Sequence, residues 1–99
     1  MQKTIAKINE IVQNYIGENK SVGIMATDET KKYYKNGIVV SLGSREDMIS
    51  ISKNLFETLR SFDDKGVDVI VSEAFEEVGV GVAIMNRLQK SAGFDITTV

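Results

Sequence analysis

Three short apolar runs, Val22–Ala26, Ile38–Leu42 and Val67–Val71, set the strongest limit on what this chain can fold into. They are nearly continuous rather than alternating, with Ser41 interrupting the second and Asp68 the third. A strand that is apolar at successive positions has both faces buried, as in a sheet covered by helices on each side. Helix-like segments lie before, between and after the runs, which argues for parallel pairing through right-handed crossovers. The expectation is an α/β three-layer sandwich. Its small, mostly parallel sheet of three to five strands would follow a doubly wound 2-1-3 order, with helices on both faces. The tail, Asp95-Ile96-Thr97-Thr98-Val99, has strand propensity and is expected to add an edge. No linker-like or repeated stretch interrupts the 99 residues, so residues 1–99 read as one domain.

Three helices follow from apolar spacing. Over residues 3–16, Ile5, Ile8, Ile11, Val12, Tyr15 and Ile16 recur at three- and four-residue intervals, and Gly17 is the expected stop. A long helix is expected over 45–64, its stripe formed by Ile51, Leu55, Leu59 and Phe62 and widened by Met48 and Phe56. Ser44-Arg45-Glu46-Asp47 resembles a capping box at its start, and Gly66 ends it. A third helix is expected over 83–92, with Gly93 as its cap. Between the first two strands, Thr27 to Lys32 read as a single helical turn capped by Asp28 or Thr27. Tyr33 and Tyr34 read as anchors on the sheet edge ahead of an Asn36-Gly37 turn.

Composition narrows the chemistry. There is no cysteine and no histidine, which removes thiolate chemistry, the usual neutral-pH acid/base and the commonest metal ligand. The net charge of -2 lacks the basic excess of a nucleic-acid binder, so no direct nucleic-acid contact is expected. No apolar run reaches the ~20 residues of a membrane span, and no secretory signal opens the chain. No membrane association and a cytoplasmic address are the corresponding expectations.

One stretch invites a chemical reading: Gly79-Val80-Gly81-Val82-Ala83-Ile84-Met85-Asn86-Arg87-Leu88. Two glycines between a strand and a helix can present backbone amides to an anion, or let a helix approach its neighbours closely. A dinucleotide fingerprint would lie at the first strand-to-helix turn, with an acid about 20 residues on. Here the glycines lie near the end of the chain, and no Gly-Lys-Ser/Thr follows. Close packing or a contact with another domain is the simpler use. Asn86 and Arg87 sit on the first turns of that helix, where Arg87 could clamp an anion or pair with Glu73, Glu76 or Glu77. Asp28 and Glu29, after the first strand, join Gly79, Gly81, Asn86 and Arg87 as the candidate ligand or interdomain surface. Asp68 lies too near its strand's start to reach the carboxyl end, where Asp28 and Glu73 could gather. No nucleophile–base pair, zinc spacing or paired-carboxylate constellation emerges.

Several blocks together resemble a known family. They are Val22-Gly23-Ile24-Met25-Ala26-Thr27-Asp28-Glu29-Thr30, Leu42-Gly43-Ser44, Leu55-Phe56-Glu57-Thr58-Leu59-Arg60-Ser61-Phe62-Asp63, Gly66-Val67-Asp68-Val69-Ile70-Val71 and the glycine stretch. In this order they are similar to the C-terminal domain of Sua5-type L-threonylcarbamoyladenylate synthases, over roughly residues 5–93. The resemblance implies a Rossmann-like fold in a two-domain enzyme. A larger YrdC-like domain of the same polypeptide would use ATP, L-threonine and bicarbonate to make threonylcarbamoyl-AMP and pyrophosphate, for t6A modification of tRNA. It implies no cofactor in the small domain and ATP in the parent enzyme. The family's catalytic residues have no counterparts here, so the chain reads as a non-catalytic accessory domain. The competing readings are a nucleotide- or small-molecule-sensing module binding an anion at Gly79–Gly81, and a weakly self-associating module.

Overall fold

The computed structural model describes residues 2–76, 78–89 and 95–99. Helix α1 (Gln2–Gly17) leads into strand β1 (Val22–Ala26), a 3-10 turn (Lys31–Tyr33) and β2 (Ile38–Ser41). Helix α2 (Met48–Lys65), β3 (Val69–Ser72), α3 (Val80–Gln89) and β4 (Ile96–Thr98) complete the chain. The four strands form one sheet in the order β2-β1-β3-β4, every pair parallel. The 2-1-3 order and the tail strand both agree with the sequence reading.

Side chains of β1 and β3 alternate between two cores. Ile24, Ala26, Val69 and Val71 pack with Ile8 and Val12 of α1. Met25 and Ile70 point the other way, into Ile51, Leu55, Leu59 and Phe62 of α2 and Ile84, Met85 and Leu88 of α3. Alternation into two separate cores is why consecutive positions in these strands are apolar. Gly23 lies where β1 passes under α2: an added Cβ would sit 2.9 Å from three ring atoms of the fully buried Phe62. Gly23→Ala is expected to lower unfolding free energy by about 1–3 kcal/mol through overpacking; an unchanged urea midpoint would contradict this.

Several local expectations need correction. The single helical turn expected between β1 and β2 is present, as a 3-10 turn shifted to Lys31–Tyr33. α1, which precedes β1, covers one face of the sheet, and Tyr34 joins the same core. The turn is flanked by Thr30, whose side chain makes no cap bond, and Asp28 serves Ser41 instead. α1 does stop at Gly17, but the left-handed residue that reverses the chain is Asn19, at φ 61. α2 begins three residues later than expected, because Asp47 is its cap: Oδ1 accepts from the Ser50 amide at 3.2 Å and Oδ2 from the Ser50 hydroxyl at 2.7 Å. The Ser44 hydroxyl turns away to Glu29. Gly66 closes α2 as expected, in the left-handed conformation. Phe56, expected to widen the buried stripe, is 47% exposed on the outer face. Val67 and Asp68 precede β3; Asp68 Oδ2 accepts from the Ser21 amide at 2.8 Å and ties the two strand entrances together. α3 starts at Val80, so Gly81 is helical; the expected cap at Gly93 lies outside the described residues.

Candidate functional site

β1 connects onward to β2 on one side of the sheet, and β3 to β4 on the other. The carboxyl ends of β1 and β3 therefore border the point where the winding reverses, the place at which open α/β sheets bind ligands. In this protein a carboxylate of its own fills the position. Glu73 directly follows β3 and is fully buried. Its Oε1 accepts from Thr27 Oγ1 at 3.2 Å and from Arg45 Nη2 at 2.8 Å. Its Oε2 accepts from the Tyr34 hydroxyl at 2.6 Å and from the Thr30 hydroxyl. A carboxylate offers about four lone-pair sites, and four donors occupy them.

Each donor arrives for a local reason. Thr27 follows β1 directly, and its carbonyl accepts from the amides of Thr30 and Lys31, which turns Thr30 inward. Tyr34 ends the 3-10 turn and is 5% exposed. Arg45 comes from the β2–α2 loop; Nη2 also donates to the Ala74 carbonyl at 3.1 Å, and the guanidinium lies 4.7 Å from the Phe75 ring centroid. Arg45 Nε is buried with no hydrogen-bond partner. A buried charge is tolerable only when paired and hydrogen-bonded, and both conditions are met at Glu73.

Burial, followed by the hydrogen bond to Glu73 and its negative charge, raises the Tyr34 pKa above the ordinary tyrosine value of 10.0. A group whose folded pKa is raised contributes stability that is complete below its unfolded pKa and is lost as pH climbs above it. Alkaline titration is therefore expected to destabilise the fold from about pH 10 upward, and Tyr34→Phe to flatten that limb. Equal limbs in urea melts across this range would contradict the assignment.

Asp28 and Glu29 are exposed at the same end of the sheet, beside the Arg45 loop. Asp28 Oδ1 accepts from Ser41 Oγ at 2.6 Å, and its amide donates to the Gly43 carbonyl at 2.9 Å. Glu29 accepts from Ser44 Oγ at 2.6 Å and from the Arg45 amide at 3.0 Å. Those two bonds hold the Glu29 carboxyl below its usual range. Together the acids pin the β2–α2 loop that delivers Arg45.

Gly79, Gly81, Asn86 and Arg87 belong to a different neighbourhood. Gly79 makes the turn into α3 at φ 58. The Gly81 amide donates to the Val78 carbonyl at 3.0 Å, and an added Cβ would lie 1.8 Å from the Glu76 carbonyl oxygen. Close approach is thus what Gly81 supplies, and the neighbour is the preceding loop more than the sheet. Asn86 and Arg87 are exposed, and the Arg87 guanidinium lies 3.6 Å from the Phe56 ring centroid. A cleft of about 320 Å³ lined by Arg45, Met48, Phe75, Glu76 and Val78 lies between the two neighbourhoods. Glu73, one expected partner of Arg87, is held by Arg45. Among the described residues no group of three or more acidic, histidine or cysteine side chains could hold a metal.

Sequence reasoning missed Arg45, assigned there only to a capping segment, and Tyr34 as a donor. The available signal was Glu73 itself: an acid that directly extends Val-Ile-Val-Ser, a buried strand, demands a cation from elsewhere.

Residues 1–93 match the family described as "Threonylcarbamoyl-AMP synthase, C-terminal domain". A threonylcarbamoyl-AMP synthase of Bacillus subtilis is 40% identical over 87 residues, covering 88% of this chain and 25% of the relative. The Pyrococcus abyssi synthase is 39% identical over 97 residues, covering 98% of this chain and 27% of the relative. Among solved structures, a double-mutant Pyrococcus abyssi Sua5 superposes with a TM-score of 0.79 at 39% identity, over 95% of this chain and 27% of the other. The crystallised C-terminal Sua5 domain of a Pyrococcus horikoshii protein gives 0.72 at 36% identity, over 99% of this chain and 87% of the other. The chain therefore spans about a quarter of the length of these curated relatives.

Proposed function

We propose, because this chain belongs to the family of threonylcarbamoyl-AMP synthase C-terminal domains, that it is the non-catalytic accessory domain of a longer polypeptide. That polypeptide would carry a YrdC-like catalytic domain that joins L-threonine, bicarbonate and ATP into threonylcarbamoyl-AMP and pyrophosphate, the activated intermediate of tRNA t6A modification. The accessory domain holds no cofactor; ATP belongs to the catalytic domain.

One observation carries this reading. The crevice at the winding reversal, where an α/β enzyme would place its ligand, holds the fully buried Glu73 with all its acceptor sites engaged by the protein's own donors. Such a group has no lone pair left for a substrate proton, and its role is to tie β1, β3 and the Arg45 loop into one rigid edge. Nucleotide sensing at Gly79–Gly81 has less support, since the Gly81 amide already donates within the turn.

The test is direct. The purified chain, given ATP, L-threonine and bicarbonate, is expected to release pyrophosphate at the rate of a protein-free blank. Release well above the blank would overturn the non-catalytic reading. Heat from titration with millimolar ATP or AMP would revive the sensing alternative.

A further inference from the structure

Arg45 has a second side, turned away from the filled crevice. It lines the cleft of about 320 Å³ together with Met48, Phe75, Glu76 and Val78. Nη2 is spent on Glu73 Oε1 at 2.8 Å and on the Ala74 carbonyl at 3.1 Å. Nη1 makes no hydrogen bond among the described residues, and the side chain stays 27% exposed. Nε is buried without a partner. A guanidinium carries five N–H donors, so this one is short of acceptors. The other charged residue of the cleft is Glu76. It is exposed, and no hydrogen bond or ion pair engages its carboxylate among the described residues. The remaining lining is apolar: Met48, Val78 and Phe75, whose ring centroid lies 4.7 Å from the Arg45 guanidinium. A larger cleft, about 510 Å³ beside the start of α1, lacks such a pair. Its one charged lining residue, Glu29, is already bonded to Ser44 and the Arg45 amide.

We propose that the Arg45–Glu76 cleft binds a free α-amino acid with a short apolar side chain. The ligand's carboxylate accepts from Arg45 Nη1, and its ammonium pairs with Glu76. Its side chain lies against Met48, Phe75 and Val78. Charge balance favours a zwitterion over a simple anion. Glu73 already neutralises Arg45, so a carboxylate gains a charge-assisted hydrogen bond there but meets no unpaired cation. Glu76 then repels a lone anion and attracts an ammonium. The apolar walls lower the local dielectric and strengthen both contacts. The volume lies at the small end of ligand clefts, which limits the side chain to a few carbons. Unlike an anion site at Gly79–Gly81, this one asks nothing of amides already engaged in the turn. The inference stands whether or not the domain serves a catalytic one.

Methyl NMR tests the site, because Met48 lines the cleft while Met25 is fully buried in the sheet. The chain is labelled at its methionine methyls, and Met48→Leu assigns the signal. The probes are L-valine, its two singly charged halves isovalerate and isobutylamine, and inorganic phosphate. L-Valine is expected to move the Met48 signal saturably, with half-saturation at about 1 mM, in keeping with so few heavy atoms. The Met25 signal stays in place. Isovalerate and isobutylamine bind about two- to fivefold more weakly, as the loss of one exposed charge pair dictates. Glu76→Gln weakens L-valine by the same factor and does not weaken isovalerate. An unmoved Met48 signal at tens of millimolar L-valine overturns the proposal, and so does equal binding of L-valine and isovalerate. An L-valine titration unaltered by Glu76→Gln removes the ammonium contact and overturns it too. Phosphate alone moving Met48 assigns the cleft to a plain anion, with the same consequence. Pyrophosphate release by the chain alone would sink the accessory reading without deciding this one.

Discussion

Glu73→Ala is expected to be among the most destabilising single substitutions in this domain, lowering unfolding free energy by about 3–5 kcal/mol. The loss comes from what the carboxylate leaves behind more than from the carboxylate itself. Thr27, Thr30 and Tyr34 each direct a hydroxyl at it inside the protein, and Arg45 brings a guanidinium whose side chain is 27% exposed. Thr27 and Thr30 lie 3.0 Å apart and can still bond each other. Arg45 keeps the Ala74 carbonyl, but the buried Tyr34 hydroxyl loses its acceptor, and a buried donor without an acceptor loses its hydration outright. Glu73→Gln should fall between alanine and the parent, since an amide offers one acceptor oxygen for four donors. Urea denaturation of the three proteins checks the order. A Glu73→Ala midpoint within about 1 kcal/mol of the parent would mean that the cluster is ornamental, and the support it lends the accessory reading would go with it.

Gly81→Ala should destabilise where helix propensity says the opposite. Alanine in a helix interior is ordinarily better than glycine by about 1 kcal/mol. Here the new methyl would meet the Glu76 carbonyl oxygen at 1.8 Å, and backbone cannot rotate aside as a flexible side chain can. Either Glu76 or the start of α3 must move, and the expected net loss is about 1–3 kcal/mol. Gly17→Ala is the matched comparison: Gly17 also belongs to a helix, and nothing lies within 4 Å of its added Cβ. That variant should be neutral or stabilised by about 0.5–1 kcal/mol. Thermal melts of the pair separate the two effects, and a Gly81→Ala protein as stable as Gly17→Ala would remove the close-approach explanation.

The sequence was most legible where one local rule acts alone. The β1 and β3 runs could be read because burial on both faces leaves no room for alternation, and α1 and α2 because their apolar spacing has a helical period. Gly66 was legible as a cap for the same reason. Expectations failed where two local rules compete for one residue. Ser44 and Asp47 can each cap a helix; Asp47 does so because Ser44 is drawn to Glu29, fifteen residues earlier. Phe56 looks like a core residue by spacing, yet it falls on the outer side of a helix whose inner side Leu55 and Leu59 already fill.

What the sequence determines by itself is therefore the layer architecture, the parallel sheet and the family, all of which rest on patterns spanning a few residues to a few dozen. What only the tertiary structure decides is the meaning of its charged and glycine positions. Glu73, Arg45 and Tyr34 lie 28 and 39 residues from one another along the chain measured from Glu73, and no periodicity links them. They meet because parallel pairing of β1 with β3 brings two strand ends side by side. Likewise Gly81 could have cradled an anion or admitted a neighbour. The Glu76 carbonyl occupying the space of its absent side chain decides for the neighbour.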